Sequence, residues 1–406
     1  MKKLRIYVFL PIIFLSIFAC SKSEKSDINA TNEGLEIIKI DLSEAREGKL
    51  SEFFEPEIEY IWLKDDSEDA QLSAGLHKII FHEDQIMVLD IFGCRCIKVF
   101  DRKGKFVSKI RAYGEGPKKY LDFDYAIIVN NELLMLGVHP PKLMWFSLEG
   151  EFLREVSMES HIETGVYLEK EKRYLFYSNP RDPEDYFVKS VNESFLDTLG
   201  FFPYDADTYY GNYSGRDNLV GEEAIYFARP FHDTIMIYES GKFIPKLVFD
   251  FGSYAQSIEE LKRNKETLDG LEELKFINKK AKLYFAPMGW YISNSQFYSG
   301  FKYEEGFFNV FFDRAKQKTH VLKGRIKDDI NEGFDLYSVI YRFDQEKVGC
   351  KIPGKDLFKI LQKKKAELGQ DGFEEYVKGK GKNFAEAAFA AKDSENPVLI
   401  VYTVKK

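Results

Sequence analysis

Residues 97–124 read IKVFDRKGKFVSKIRAYGEGPKKYLDFD, and this stretch decides the fold. Ile97 to Asp101 and Phe106 to Ile110 are short β-branched and aromatic runs, the composition of strands, and Lys103-Gly104 between them is a tight turn. A Gly-Pro loop, Gly114-Glu-Gly-Pro117, then hands the chain onward. The unit recurs. Leu143–Val156 (LMWFSLEGEFLREV) places Gly150 46 residues beyond Gly104, and Gly241 in TIMIYESGKFIPKL lies a further 91 residues on, two such periods. Between them VKSVNESFLDTL carries Asn192-Glu193 where the glycine turn would be, and a fifth copy, VFFDRAKQKTHVL, begins at Val310. A period of roughly 40–50 residues with four strands per unit is the mark of propeller blades. A β-sandwich with unrelated hairpins gives no reason for a fixed period.

Working outward, the repeats give blades over about 73–113, 121–158, 162–202, 215–251 and 286–323. A sixth is expected from 325–352 with 395–404. The apolar C-terminal run Asn396–Val404 (NPVLIVYTV) would leave an open sheet edge unless another strand covered it, and Ile58–Leu63 (IEYIWL) is the natural partner. The expectation is therefore an all-β, six-bladed propeller of four-stranded blades spanning 37–406, its last blade closed by an N-terminal strand; seven blades is the rival if a helical region hides strands. Two helical insertions interrupt the pattern. Residues 257–285 carry Leu and Ile near helical spacing behind a Ser257-x-x-Glu260 capping box, and 356–392 hold LFKILQKKKAEL, ending at Gly369, and an Ala-rich helix capped at Asn383.

The front end is a targeting segment. Lys2, Lys3 and Arg5 precede an apolar run that is short for a permanent membrane span, so residues 1–19 read as a secretory signal. The run ends Ala19-Cys20, which resembles a lipobox. Cys20 is the expected lipidation site and the protein's link to a membrane, with residues 20–36 a polar tether. Removing residues 1–19 takes away three positive charges, so the net −8 becomes −11. That balance excludes a nucleic-acid partner, which needs a basic footprint. Of the other cysteines, Cys94-x-Cys96 is expected to be a pair of small buried thiols, with a bridge from either to Cys350 left open.

Taken together, the lipobox at Cys20, VFDRKGKFVSKI (99–110), GEGPKKY (114–120), the segment Ala228–Tyr238 and NPVLIVY (396–402) make the chain resemble the six-bladed β-propeller lipoproteins of Bacteroidota, relatives of the NHL-repeat propellers. The resemblance implies the fold and a cell-envelope, outer-membrane location without implying an activity. The family's loop reads Gly-x-Gly-Pro-Gly-Glu-Tyr; here Lys118 and Lys119 replace its glycine and acid.

In such a propeller the loops between second and third strands, and those crossing to the next blade, share one face. That face should gather Arg95, Arg111 to Lys119 (Lys118 and Lys119 among them), His139, Lys142, Arg181, Arg229 and His232, a cationic set fit for an anionic or polar ligand. The Tyr-rich loop 204–215 is a second candidate for sugars or peptides. No nucleophile elbow, P-loop, HExxH or dinucleotide fingerprint is present, and the six histidines show no metal spacing, so neither cofactor nor metal is expected. The sequence thus points to a lipid-anchored binding or protein-interaction scaffold for a glycan, peptide or protein. The alternative is a propeller lyase or hydrolase acting on glycans or peptides at the central channel, for which His139 and His232 are the axial pair to test.

Overall fold

The computed structural model describes residues 34–75, 77–180, 182, 184–204, 217–221, 224–229, 232–255, 283–285 and 289–406. Two N-terminal strands, β1 (Glu36–Lys39) and β2 (Phe54–Trp62), precede the first blade. Blade one is β3 (Lys78–His82), β4 (Gln85–Asp90), β5 (Cys96–Asp101) and β6 (Phe106–Ile110). Blade two is β7 (Asp122–Val129), β8 (Glu132–His139), β9 (Lys142–Ser147) and β10 (Phe152–Ser157). Blade three follows as β11 (Thr164–Leu168), β12 (Arg173–Tyr177), β13 (Tyr186–Asn192) and β14 (Thr198–Pro203). Blade four is β15 (Leu219–Val220), β16 (Ile225–Phe227), β17 (Thr234–Glu239) and β18 (Lys242–Asp250). In blade five two short segments, β19 (Leu283–Phe285) and β20 (Tyr291–Ile292), pair with β21 (Gln296–Tyr303), followed by β22 (Gly306–Asp313) and β23 (Lys318–Lys323). Blade six is β24 (Tyr341–Arg342), β25 (Lys347–Pro353) and β26 (Pro397–Val404), with β2 as its outermost strand. The ring of six antiparallel blades is the expected propeller.

The recurring sequence unit is the hairpin of third and fourth strands in blades one to five. Blade six has no such hairpin, because its third and fourth strands come from opposite ends of the chain: Ile58 to Trp62 run antiparallel to Tyr402 to Val398. β1 adds a feature the repeat does not contain. It lies parallel to β18 on the outer edge of blade four, Glu36 beside Leu247 and Lys39 beside Asp250. From there the chain passes blade five through parallel bridges at Arg46–Leu322 and Lys49–Lys327 and enters blade six as β2. Residues 36–62 therefore form a strap around three consecutive blades.

Apolar burial occurs between blades, as period-2 alternation on both sheet faces requires. Met87, Val99, Phe123 and Met135 fill the space between blades one and two; Leu134, Trp145, Tyr174 and Phe176 do so between two and three. The interface of blades five and six is enlarged by two α-helices, the only ones among the described residues. These are α1 (Gly354–Lys378), interrupted at Gly369 (φ 68°), and α2 (Lys382–Ala390). Both lie between β25 and β26 and bury Leu357, Leu361, Phe373, Phe384 and Ala388 against the blade. α1 resumes beyond Gly369 to Lys378, and α2 begins at Lys382 after Gly381, so Asn383 lies inside the helix rather than capping it. The expected helical stretch 257–285 falls outside the described residues except at its C-terminal end, where Leu283 to Phe285 form strand β19 rather than helix, paired with Phe301 to Tyr303.

Candidate functional site

The site is built where blade one's turn between β4 and β5 meets the crossing from β6 to β7. Cys94 and Cys96 are joined in a disulfide with their Cα atoms 5.2 Å apart, correcting the expectation of two unbridged thiols. The reason is local. Cys94 belongs to the turn rather than to β5, and Arg95 takes φ 49°, which curls the backbone so that the two sulfurs meet. Cys350 is a buried free thiol whose pKa burial pushes up to about 12.

The same curl projects Arg95 outward. Its guanidinium donates to the Leu121 carbonyl at 3.1 Å and the Tyr113 hydroxyl at 3.3 Å, and it lies 5.4 Å from the Tyr113 ring centroid. Arg111 reaches the same ring at 5.0 Å while donating to the Cys94 carbonyl at 3.0 Å. Tyr113, 40% exposed, is thus flanked by two guanidinium groups, an arrangement that cation–π attraction favours. Below it, buried Tyr120 donates to the Arg95 carbonyl at 2.7 Å. Lys118, at φ 60°, sets its ammonium 5.5 Å from the Phe152 ring, and the Lys119 stem runs beside Gly114. His139 is exposed and joins through the backbone, its carbonyl accepting the Leu121 N–H at 2.9 Å. Among the described residues none of Arg95, Arg111, Lys118 or Lys119 is ion-paired. The structure thus gathers four of the expected ligand-binding residues, Arg95, Lys118, Lys119 and His139, around one crossing.

Arg229 and His232 do not join them. They occupy the turn between β16 and β17 on blade four, where Arg229 stacks over Phe187 at 4.9 Å and Phe202 at 5.5 Å and its carbonyl accepts the His232 N–H. Lys142 is buried and paired with Glu155 at 3.0 Å. Arg181, residues 205–215 of the Tyr-rich loop and Cys20 lie outside the described residues.

A buried polar anchor holds the Arg95 turn from beneath. Asp90 accepts from the backbone N–H groups of Gly93 (3.1 Å) and Cys94 (3.3 Å) and from the Ser73 hydroxyl, and faces His77 Nε2 at 3.5 Å. Lys351 of blade six donates to His77 Nδ1 at 2.6 Å. Burial by itself would raise the Asp90 pKa; hydrogen bonds from His77, Ser73 and Cys94 overcome it and hold the carboxyl well below the usual range. Burial lowers the pKa of His77, and Lys351 adds to that while Asp90 opposes it. Burial also brings Lys351 down to about 8. Serine, histidine and aspartate are all present, but the histidine side chain is 3% exposed, and Ser73 and His77 both turn toward Asp90. Such a group positions a loop; it does not present a nucleophile to a substrate.

On the axis, Lys78 of blade one forms an ion pair with Asp217, which leads into blade four, directly across the ring. Tyr125 of blade two lies under the ammonium at 5.0 Å, and Trp290 of blade five donates its indole N–H to the Asp217 carbonyl at 2.8 Å. Burial would lower the Lys78 pKa, but Asp217 overcomes it and holds the ammonium above its ordinary value. Four blades so converge at the loop-face end of the channel. Beyond them lies a cavity of about 460 Å³ lined by the innermost strands. Sequence reasoning missed this axial set, although a lone charge heading an apolar inner strand, as in His77-Lys-Ile-Ile-Phe-His82, was the available signal. Among the described residues no three of His, Cys, Asp and Glu converge to hold a metal, and no helix is long and apolar enough to cross a membrane.

Fold and site together define a six-bladed β-propeller with a cationic rim on its loop face and an ion pair across its channel. Within that class, the chain belongs to the DUF4934 family, a domain of unknown function, whose model matches residues 35–403. A solved protein of Bacteroides fragilis described as exported is similar at 16% identity and TM-score 0.71, over 91% of this chain and all of that one. The extracellular domain of a one-component system protein of Bacteroides thetaiotaomicron is similar at 11% identity and TM-score 0.40, over 71% of this chain and 34% of that chain. No curated protein matches.

Proposed function

We propose that the protein is a lipid-anchored binding scaffold of the cell envelope that takes an anionic extracytoplasmic ligand or partner surface at the rim of blades one and two. The observation that carries the reading is Tyr113 flanked by Arg95 and Arg111, with Lys118 and Lys119 beside it. This is an unpaired cationic patch on a chain of net charge −8. Opposite charge would steer such a partner to the rim. The disulfide and the Asp90 anchor fix the patch before the partner arrives, which reduces the ordering cost of binding. The signal-like residues 1–19, the cysteine at position 20 and the description of the Bacteroides fragilis neighbour as exported support the envelope location.

The test is a titration of the full-length protein in detergent with an acidic peptide and an anionic oligosaccharide. Binding by one of them, weakening with salt and lost in the charge-reversed Lys118→Glu, Lys119→Glu variant, is the expected result. Failure of both probes, or equal affinity in the variant, would remove the rim from consideration. Separately, Cys20→Ala should shift the protein from the membrane to the soluble fraction.

A further inference from the structure

We propose that the central channel is a second, independent site that seats a small organic carboxylate with an apolar body on Arg342. Arg342 belongs to β24, the innermost strand of blade six, and lines the channel cavity. Its Nε is buried and has no hydrogen-bond partner, and no described carboxylate pairs with its guanidinium. An N–H of a permanently charged group withdrawn from water without an acceptor carries a large desolvation penalty, so the position calls for an acceptor from outside the chain.

The rest of the cavity narrows the chemistry. Its other cation, Lys78, is already neutralised by Asp217, leaving one uncompensated positive charge for one negative charge. The guanidinium fork matches a carboxylate in two parallel hydrogen bonds, whereas a dianion would find only half of its charge balanced. Part of the wall is aliphatic, with Ile80, Ile127, Val166 and Leu219 in it, and the apolar body of the ligand would lie against these side chains. A volume of about 460 Å³ suits a compact molecule rather than a polymer. At the loop-face end the Lys78–Asp217 pair stands between this cavity and the rim. At the opposite end are the inner turns of blades one and two, where His82 Nε2 and Asn131 Oδ1 are 3.4 Å apart. None of these residues belongs to the rim of the proposed function, and either site can fail without the other.

Hexanoate and benzoate are suitable probes, with benzyl alcohol as the uncharged counterpart and inorganic phosphate as the dianion. Full-length protein should show a saturable rise in Tm with one of the carboxylates and none with benzyl alcohol or phosphate. Arg342→Gln should weaken carboxylate affinity about tenfold or more, while Lys118→Glu, Lys119→Glu should leave it unchanged. A crystal grown with 4-iodobenzoate gives a readout that needs no variant, because the iodine's anomalous signal should lie inside the channel with the carboxylate on Arg342. The proposal is overturned if neither carboxylate binds, if Arg342→Gln binds as the natural protein does, or if the iodine lies elsewhere.

Discussion

His77 lies between two groups that pull its proton in opposite directions, Lys351 on Nδ1 and Asp90 facing Nε2. Burial wins and its pKa is lowered, so the folded protein keeps His77 neutral at a pH where the unfolded chain is already taking up a proton. The unfolded state binds more protons as pH falls below about 6.5, and stability is lost there. Asp90 adds a loss of the same sign lower down: its depressed pKa stabilises the fold above about 3.9, and that contribution disappears as the pH drops further. Tm should therefore decline from pH 7 to pH 5, and His77→Gln should flatten that decline. His320 is shifted in the same direction, so it is the difference between the two calorimetric curves that isolates His77. Parallel curves would refute the assignment. At this scale the sequence was legible where the blade connections decided the matter, since Arg95, Lys118, Lys119 and His139 share one crossing, whereas Arg229 and His232 lie on another blade. The Cys94–Cys96 bridge was hidden because it depends on the φ angle of Arg95, which residue identity does not announce.

The hairpin that organised the sequence explains why its glycines are unequal. Gly104 and Gly241 occupy equivalent turns at φ 73° and 81°. A Cβ on Gly104 would lie 1.8 Å from the Trp62 carbonyl oxygen, because this turn packs on the end of β2 and its own carbonyl accepts the Lys64 N–H at 2.8 Å. A Cβ on Gly241 would meet nothing within 4 Å. Gly241→Ala should cost only the left-handed backbone penalty of about 1–2 kcal/mol. Gly104→Ala should cost clearly more and weaken the joint between blades one and six, as denaturant midpoints of the two variants will show; equal losses would contradict the packing. Five hairpin copies were readable because each is one continuous segment. A sixth does not exist in the sequence, since β26 and β2 supply its two strands from opposite ends, and hydrophobicity and edge-covering alone pointed to that pairing. The addition of β1 to blade four was not readable, because a parallel partner more than two hundred residues away leaves no local mark.

For the whole molecule, closure rests on β26, which pairs with β25 on one side and β2 on the other. Deleting residues 397–406 would expose both neighbours and open the ring, so the truncated chain should lose its cooperative thermal transition and become sensitive to protease throughout. A truncated chain melting like the full one would show that the strap and helices hold the ring without closure. The axial set of Lys78, Asp217 and Arg342 belongs to this scale too. These residues come from blades one, four and six, and only the closed ring makes them neighbours of one cavity. The strap of residues 36–62 has a consequence in time as well as in space. Its partners, Leu247 to Asp250, Leu322, Lys327 and Val398 to Tyr402, all follow it in the chain. Until residues as far as Tyr402 are present, Ile58 to Trp62 have no partner strand, so the last blade cannot close around a shorter N-terminal portion of the chain.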